Sequence, residues 1–180
     1  MTTTWSTPED VRTGNPWLVG AALTPVTLPA GHFAEATLAI LADDHEAVGL
    51  VLSAADSVFA EGSSALILYV DSTGRTSWFP LAGGLPSAPL AANARRTREF
   101  RVNGSDVETN AFATVRLSRI ETSVWRAERR AGPGLLWEQI GDDFTHALEP
   151  AFIGEVRFGW PTGSGFATAW YGDERTGTLT

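Results

Sequence analysis

The chain has 180 residues, a formal net charge of −8 and no cysteine. The length suits one domain with a core of its own, and the missing cysteine excludes disulfides, iron–sulfur clusters and thiolate zinc sites. An acidic surface repels nucleic acid and anionic membranes, so neither is expected as a partner.

All 13 basic residues are arginine, which reads as a coding bias more than a site. The N-terminus, MTTTWSTPEDVRTG, has no basic region followed by an apolar run. The expectation is synthesis in the cytosol without a secretory signal, with a virion or released particle as a further location. No run approaches the roughly 20 apolar residues of a membrane helix. Residues 1–16 read as an N-terminal arm and 17–175 as a single domain.

The 18 glycines and 10 prolines are spread along the chain, the punctuation of many short strands. Val48 to Ala54 and Ser64 to Val70 are short apolar runs rich in branched residues. Their length and the turn residues Asp71-Ser72-Thr73-Gly74 favour strands. Arg75 to Leu81 then returns as the second arm of a hairpin. Gly83 to Arg96 reads as a long loop inside the domain. Asn103-Gly104 is a turn signal, a better reading of Asn103-Gly104-Ser105 than a glycosylation acceptor.

From Ala113 the pattern becomes regular. Ala113, Val115 and Leu117 fall on one face, with Thr114, Arg116 and Ser118 on the other, as in a half-buried antiparallel strand. Trp125 and Ala127 continue the apolar phase after a turn at IETS, opposite Arg126 and Glu128. Leu135 to Ile140 reads as a third strand after AGPG, and Ala151 to Trp160 and Gly165 to Asp173 as two more. The chain is expected to be all-β, about ten to twelve antiparallel strands in a two-sheet sandwich or jelly roll.

The order of these elements over residues 97–173 resembles the C-terminal half of concanavalin A-like lectin/glucanase domains, laminin-G-like modules included. Trp137 to Gly141 match the family's "W-x-x-x-G" element and Pro150 to Gly154 its "P-x-x-V-G" element. Ala167 to Asp173 match the closing "A-x-x-x-F/W-D" loosely, since Tyr171 and Gly172 separate Trp170 from Asp173. Thr114 to Leu117 stand where the family has "W-x-R-L", so that tryptophan is missing. The resemblance implies two antiparallel sheets packed face to face, in a family of lectins, glycosidases, adhesion modules and particle proteins. Such a fold does not choose among those functions.

Glycoside hydrolysis needs two carboxylates flanking one bond. The Glu-x-Asp-x-x-Glu strand pattern of the family's glucanases is absent around Glu35, Glu138 and Glu155. No catalytic residue is therefore assigned, and the chain is read as non-enzymatic. Asp43 and Asp44, in the cluster Asp43-Asp44-His45-Glu46, are the metal candidates. Calcium is the ion that hard oxygen ligands would take there; a solvated turn is the preferred reading, and no cofactor is required. Asp142-Asp143 poses the same choice. His32, His45 and His146 lack helical zinc spacing.

The seven tryptophans are the distinctive resource. Their rings can stack on sugar faces, but tryptophan is usually at least partly buried. Trp125, Trp137 and Trp170 read as core. Trp78, in an edge hairpin, and Trp160, on a loop, are the carbohydrate-binding candidates. Trp5, with the basic cluster Arg95, Arg96 and Arg98, is the candidate interface with other copies or particle subunits. The leading expectation is a non-catalytic structural or adhesion protein of a phage or phage-like particle. A carbohydrate-binding lectin-like module, binding surface glycan, is the first alternative, and a glycosidase lacking the usual motif the second.

Overall fold

The computed structural model describes residues 5–6, 17–40, 47–58, 63–71, 75–82, 85–86, 98–99, 111–130, 134–159 and 169–180. Every regular element among them is a strand. In chain order these are β1 (Trp5–Ser6), β2 (Trp17–Pro25), β3 (His32–Ile40), β4 (Ala47–Ser53), β5 (Ser64–Asp71), β6 (Arg75–Ala82), β7 (Leu85–Pro86), β8 (Arg98–Glu99), β9 (Ala111–Arg119), β10 (Val124–Arg130), β11 (Glu138–Gln139), β12 (Phe144–Thr145), β13 (Phe152–Gly159) and β14 (Ala169–Thr178). They form two antiparallel sheets. One runs β1-β2-β13-β4-β5-β6-β7 with β8 also on β6; the other runs β11-β10-β9-β3-β14 with β12 also on β10.

The sequence pattern accounts for this layout. In β9 and β10 one phase is apolar, so one face of the six-stranded sheet meets the core and the other faces outward. Ala113, Val115, Leu117, Trp125 and Ala127 are buried in the main core with Ala34, Ala36 and Leu38 of β3. Strands β4 and β5 are apolar in both phases because both faces of their sheet are covered. Val48, Leu50, Leu66 and Leu68 enter the core between the sheets. Val51, Ala65 and Ile67 join Ala21, Val58 and Val156 in a second cluster on the opposite face. The expected hairpin is present, Ser64 pairing with Ala82 and Val70 with Thr76.

Two elements differ from expectation. Of the segment Leu135 to Ile140 only Glu138–Gln139 is strand; Leu135 and Leu136 are exposed, and Gly134 takes a positive φ of 78°. From Gly134 on the chain carries these leucines out of the sandwich, so their apolar character did not signal core. Trp170 was expected inside and is 44% exposed. Its phase is inverted: Trp170 pairs with outward-facing Ala39, while Tyr171, paired with Leu38, packs against the core.

Trp125 is fully buried as expected, and its Nε1 donates to the His146 carbonyl at 3.0 Å. The His146 backbone N–H in turn donates to the Ser123 carbonyl at 2.8 Å. The imidazole Nδ1 is buried without a hydrogen-bond partner among the described residues, and burial pushes the His146 pKa below its ordinary value. The folded state therefore prefers the neutral ring, whereas the unfolded chain takes up a proton near pH 6.5. Stability from this site is present above about pH 6.5 and is lost as the pH falls through the depressed folded value. Thermal melting between pH 7.5 and 5 is expected to show a fall in Tm that is shallower in His146→Phe. Equal slopes in the two proteins would contradict this assignment.

Candidate functional site

The candidate site is the outward face of the six-stranded sheet. Its positions follow from antiparallel register, which places paired residues on the same face. One row runs Arg175, Glu35, Arg116, Glu128 across β14, β3, β9 and β10. The next row runs Gly172, Thr37, Thr114, Arg130 across the same strands. Trp170 closes the β14 side, beside Ala39.

Glu35 is the centre. Its side chain is 2% exposed, and its two oxygens are engaged by arginine from three strands. Arg116 donates to Oε2 from Nε at 2.9 Å and from a terminal nitrogen at 2.6 Å. Arg175 donates to Oε1 through Nε. A terminal nitrogen of Arg130 stands 3.8 Å from the same oxygen. A buried carboxylate is stable only when paired and hydrogen-bonded, and these three guanidiniums provide both.

Aromatic rings fix the arginines in turn. The Arg116 guanidinium lies 4.1 Å from the Phe33 ring centroid and 4.0 Å from that of Trp137. Arg130 lies 4.6 Å from the Trp137 centroid. These are cation–π distances, and they help hold the planar guanidiniums in place. Beside them the hydroxyls of Thr37 and Thr114 are 3.2 Å apart on the sheet. Glu128 accepts from Ser118 Oγ at 3.2 Å. Further along β10, Arg126 and Asp143 form a two-pronged pair at 2.8 Å per contact, and the guanidinium holds Asp143 below the ordinary carboxylate range. The pair Glu155–Arg157 lies on the inner face of the other sheet, in register with Leu50 and Val48, and belongs to no part of this site.

Gly172 explains how Trp170 lies on this face. A Cβ at Gly172 would fall 2.5 Å from the indole ring, so the ring rests over the bare glycine. The exposed indole and the arginines thus lie on one face of the sheet, with the buried hydroxyls of Thr37 and Thr114 in the row between them. Strands β14 and β9, which carry Trp170 and Arg116, are two strand spacings apart, about 9–10 Å. A flat aromatic surface with fixed polar groups alongside is the combination that recognises a ring bearing hydroxyls.

The residues singled out from the sequence fall elsewhere. Trp78 is 2% exposed and belongs to the core. Its ring stacks on Phe144 with centroids 3.6 Å apart, and its Nε1 donates to the Ile140 carbonyl at 3.2 Å. Strand β6 carries it inward, opposite Leu68, so a sugar-stacking role for Trp78 is corrected. Trp160, Asp43, Asp44, Arg95 and Arg96 lie outside the described residues. The backbones of Trp5 and Arg98 pair with Ala22 and Thr76, respectively.

Trp137, expected in the core, is half-buried against two guanidiniums on the outer face. Sequence reasoning missed Glu35, Arg116, Arg130, Arg175, Trp137 and Trp170 as a group. The available signal was the polar phase of β9 and β10, rich in arginine; what brings Arg175 and Glu35 to it is the pairing of β14 with β3.

No protein-family model and no curated protein sequence matches this chain. Among solved structures it is similar to carbohydrate binding module CBM66 from Bacillus subtilis, at 12% identity and a TM-score of 0.53, covering 97% of this chain and 91% of that one. It is similar also to sheep galectin-11 in complex with glycerol, at 10% identity and a TM-score of 0.50, covering 92% of this chain and 99% of that one. An engineered GH43 glycoside hydrolase gives a TM-score of 0.44 with 41% of its length covered, and that likeness carries no argument about catalysis. The chain has the concanavalin A-like, lectin-type β-sandwich fold. At these identities the likeness defines the fold alone.

Proposed function

We propose that the protein is a non-catalytic carbohydrate-binding module whose saccharide lies on the outer face of the six-stranded sheet, against Trp170. The observation that carries this reading is the pairing of an exposed indole, rested on Gly172, with arginines held rigid around Glu35. Rigid donors and a flat apolar surface bind with little ordering cost. The lectin-type fold shared with CBM66 and galectin-11 supports the same reading. Neither of those likenesses supports a role as a particle component. Glu35 does not serve as a glycosidase carboxylate in this reading, because it is buried and both oxygens face guanidinium donors.

A glycan array followed by calorimetry tests the proposal. Trp170→Ala is expected to weaken saccharide binding about tenfold, the loss of one stacking surface. Gly172→Val is expected to do the same with little change in Tm, because its new methyl groups displace only an exposed ring. Trp160→Ala belongs in the same series, as the loop tryptophan first expected to stack on sugar. If no saccharide binds, or if binding is indifferent to both Trp170→Ala and Gly172→Val, the reading is wrong.

A further inference from the structure

Resting on the saccharide-binding reading, we infer that the ligand is an acidic saccharide, one whose sugar ring carries a carboxylate or a sulfate ester. The charge inventory of the face argues for it. Arg116, Arg130 and Arg175 contribute +3 and Glu35 contributes −1, so the group carries +2 within a chain of net charge −8. Including Glu128, one register position beyond Arg116, leaves +1. The neighbouring Arg126–Asp143 pair is internally neutral. Of the two acids in the bulge between Gly172 and Arg175, Glu174 is turned to the Tyr171 hydroxyl, and Asp173 is exposed at the β14 edge and takes one further unit off this balance.

Hydrogen-bonding capacity points the same way. Three guanidiniums offer about fifteen N–H donors, whereas one carboxylate has about four lone-pair sites. Glu35 is filled by contacts from all three arginines, and donors remain. Arg130 Nε is buried with no hydrogen-bond partner among the described residues. The Arg175 side chain binds Glu35 through Nε and is 59% exposed, its guanidinium open to solvent at the rim. A planar anion with several acceptor oxygens fits such donors better than a hydroxyl does, because charge-assisted bonds are shorter and stronger.

Aromatic placement assigns the two parts of the ligand. Trp137 is engaged by Arg116 and Arg130. Trp170 is the exposed tryptophan on this face. The sugar ring therefore lies on Trp170, with its anionic group toward Arg175 and Arg130. A neutral saccharide would use the indole and leave the exposed Arg175 donors to water.

The test compares matched probes by calorimetry on the full chain. One pair is an oligogalacturonate and its methyl ester; the other is a chondroitin sulfate oligosaccharide and its desulfated form. The expected result is that the acidic member of at least one pair binds about tenfold more tightly than its neutral partner. That advantage is expected to shrink between 0.05 and 0.5 M salt and to vanish in Arg175→Gln. Because Arg175 is exposed, that variant stays folded, which its Tm checks. The first pair reports a carboxylate ligand and the second a sulfate.

If the methyl ester and the desulfated form bind as well as the acids, and Trp170→Ala weakens all of them, acidity is overturned while saccharide binding stands. If no saccharide binds in any arm, both readings fall. Acid-selective binding untouched by Arg175→Gln would place the anion elsewhere and overturn the inference.

Discussion

Glu35→Ala is expected to lower the unfolding free energy by about 3 kcal/mol and to abolish saccharide binding. The carboxylate sits 2% exposed beneath three guanidiniums that no other described acid replaces in the same position. Removing it leaves Arg116 and Arg130, side chains only 16% and 22% exposed, as uncompensated positive charges on the sheet. Breaking a buried ion pair by deleting one partner costs about 3–5 kcal/mol. Arg175 is exposed and regains water, so the lower end of that range applies. Urea unfolding measures the loss. The double variant Glu35→Ala/Arg116→Met separates charge from packing: it should recover part of the stability, because the stranded guanidinium is gone. It should not recover binding. A Glu35→Ala protein as stable as the wild type would show that the arginine cluster is not organised by this carboxylate.

Gly154→Ala is expected to cost about 3 kcal/mol and to loosen β2, with β1 beyond it, from its sheet. A Cβ at Gly154 would stand 1.9 Å from the Ala22 carbonyl oxygen, 2.9 Å from its carbon and 3.0 Å from Leu23 Cα. All three are backbone atoms of β2, which pairs with β13 along its length. β13 is also paired on its other side with β4, so it has no room to yield. The contrast with Gly172 is instructive, because there the added atom meets only an indole ring. Hydrogen exchange would locate the damage: amides of β2 and β13 should lose protection before those of β9 and β3. Native-like stability in Gly154→Ala would contradict this packing.

Gly154 also shows how far the sequence reached. It ends the Pro150 to Gly154 element that carried the family resemblance, and the structure supplies a reason for that glycine: two backbones approach too closely for a side chain. The alternation in β9 and β10 was equally legible. Apolar Val115, Leu117, Trp125 and Ala127 point inward as their phase requires. The continuous runs of β4 and β5 were legible as strands, but not the reason for them, which is that two separate clusters cover their sheet on both faces.

The tryptophans were the least legible. Trp78 and Trp170 exchange the places expected of them. The start of β14, Ala169-Trp170-Tyr171, offers large aromatics in both phases, and local pattern cannot say which one faces the core. Register decides it: Trp170 opposite Ala39, Tyr171 opposite Leu38. Trp78, in a hairpin that read as an edge, is covered by Phe144 arriving from the other sheet. Burial of this kind depends on a contact across 66 residues of chain, which no window of neighbouring residues contains.

By itself, then, the sequence determined the fold class, and strands β9 and β10 with their inward faces, because alternation and turn chemistry are local. Only the tertiary structure decided the site. Glu35, Arg116, Arg130 and Arg175 are spread over 140 residues and become neighbours through strand pairing. A side chain's phase is written in its own strand, but its neighbours on the face are set by which strands the fold places beside it.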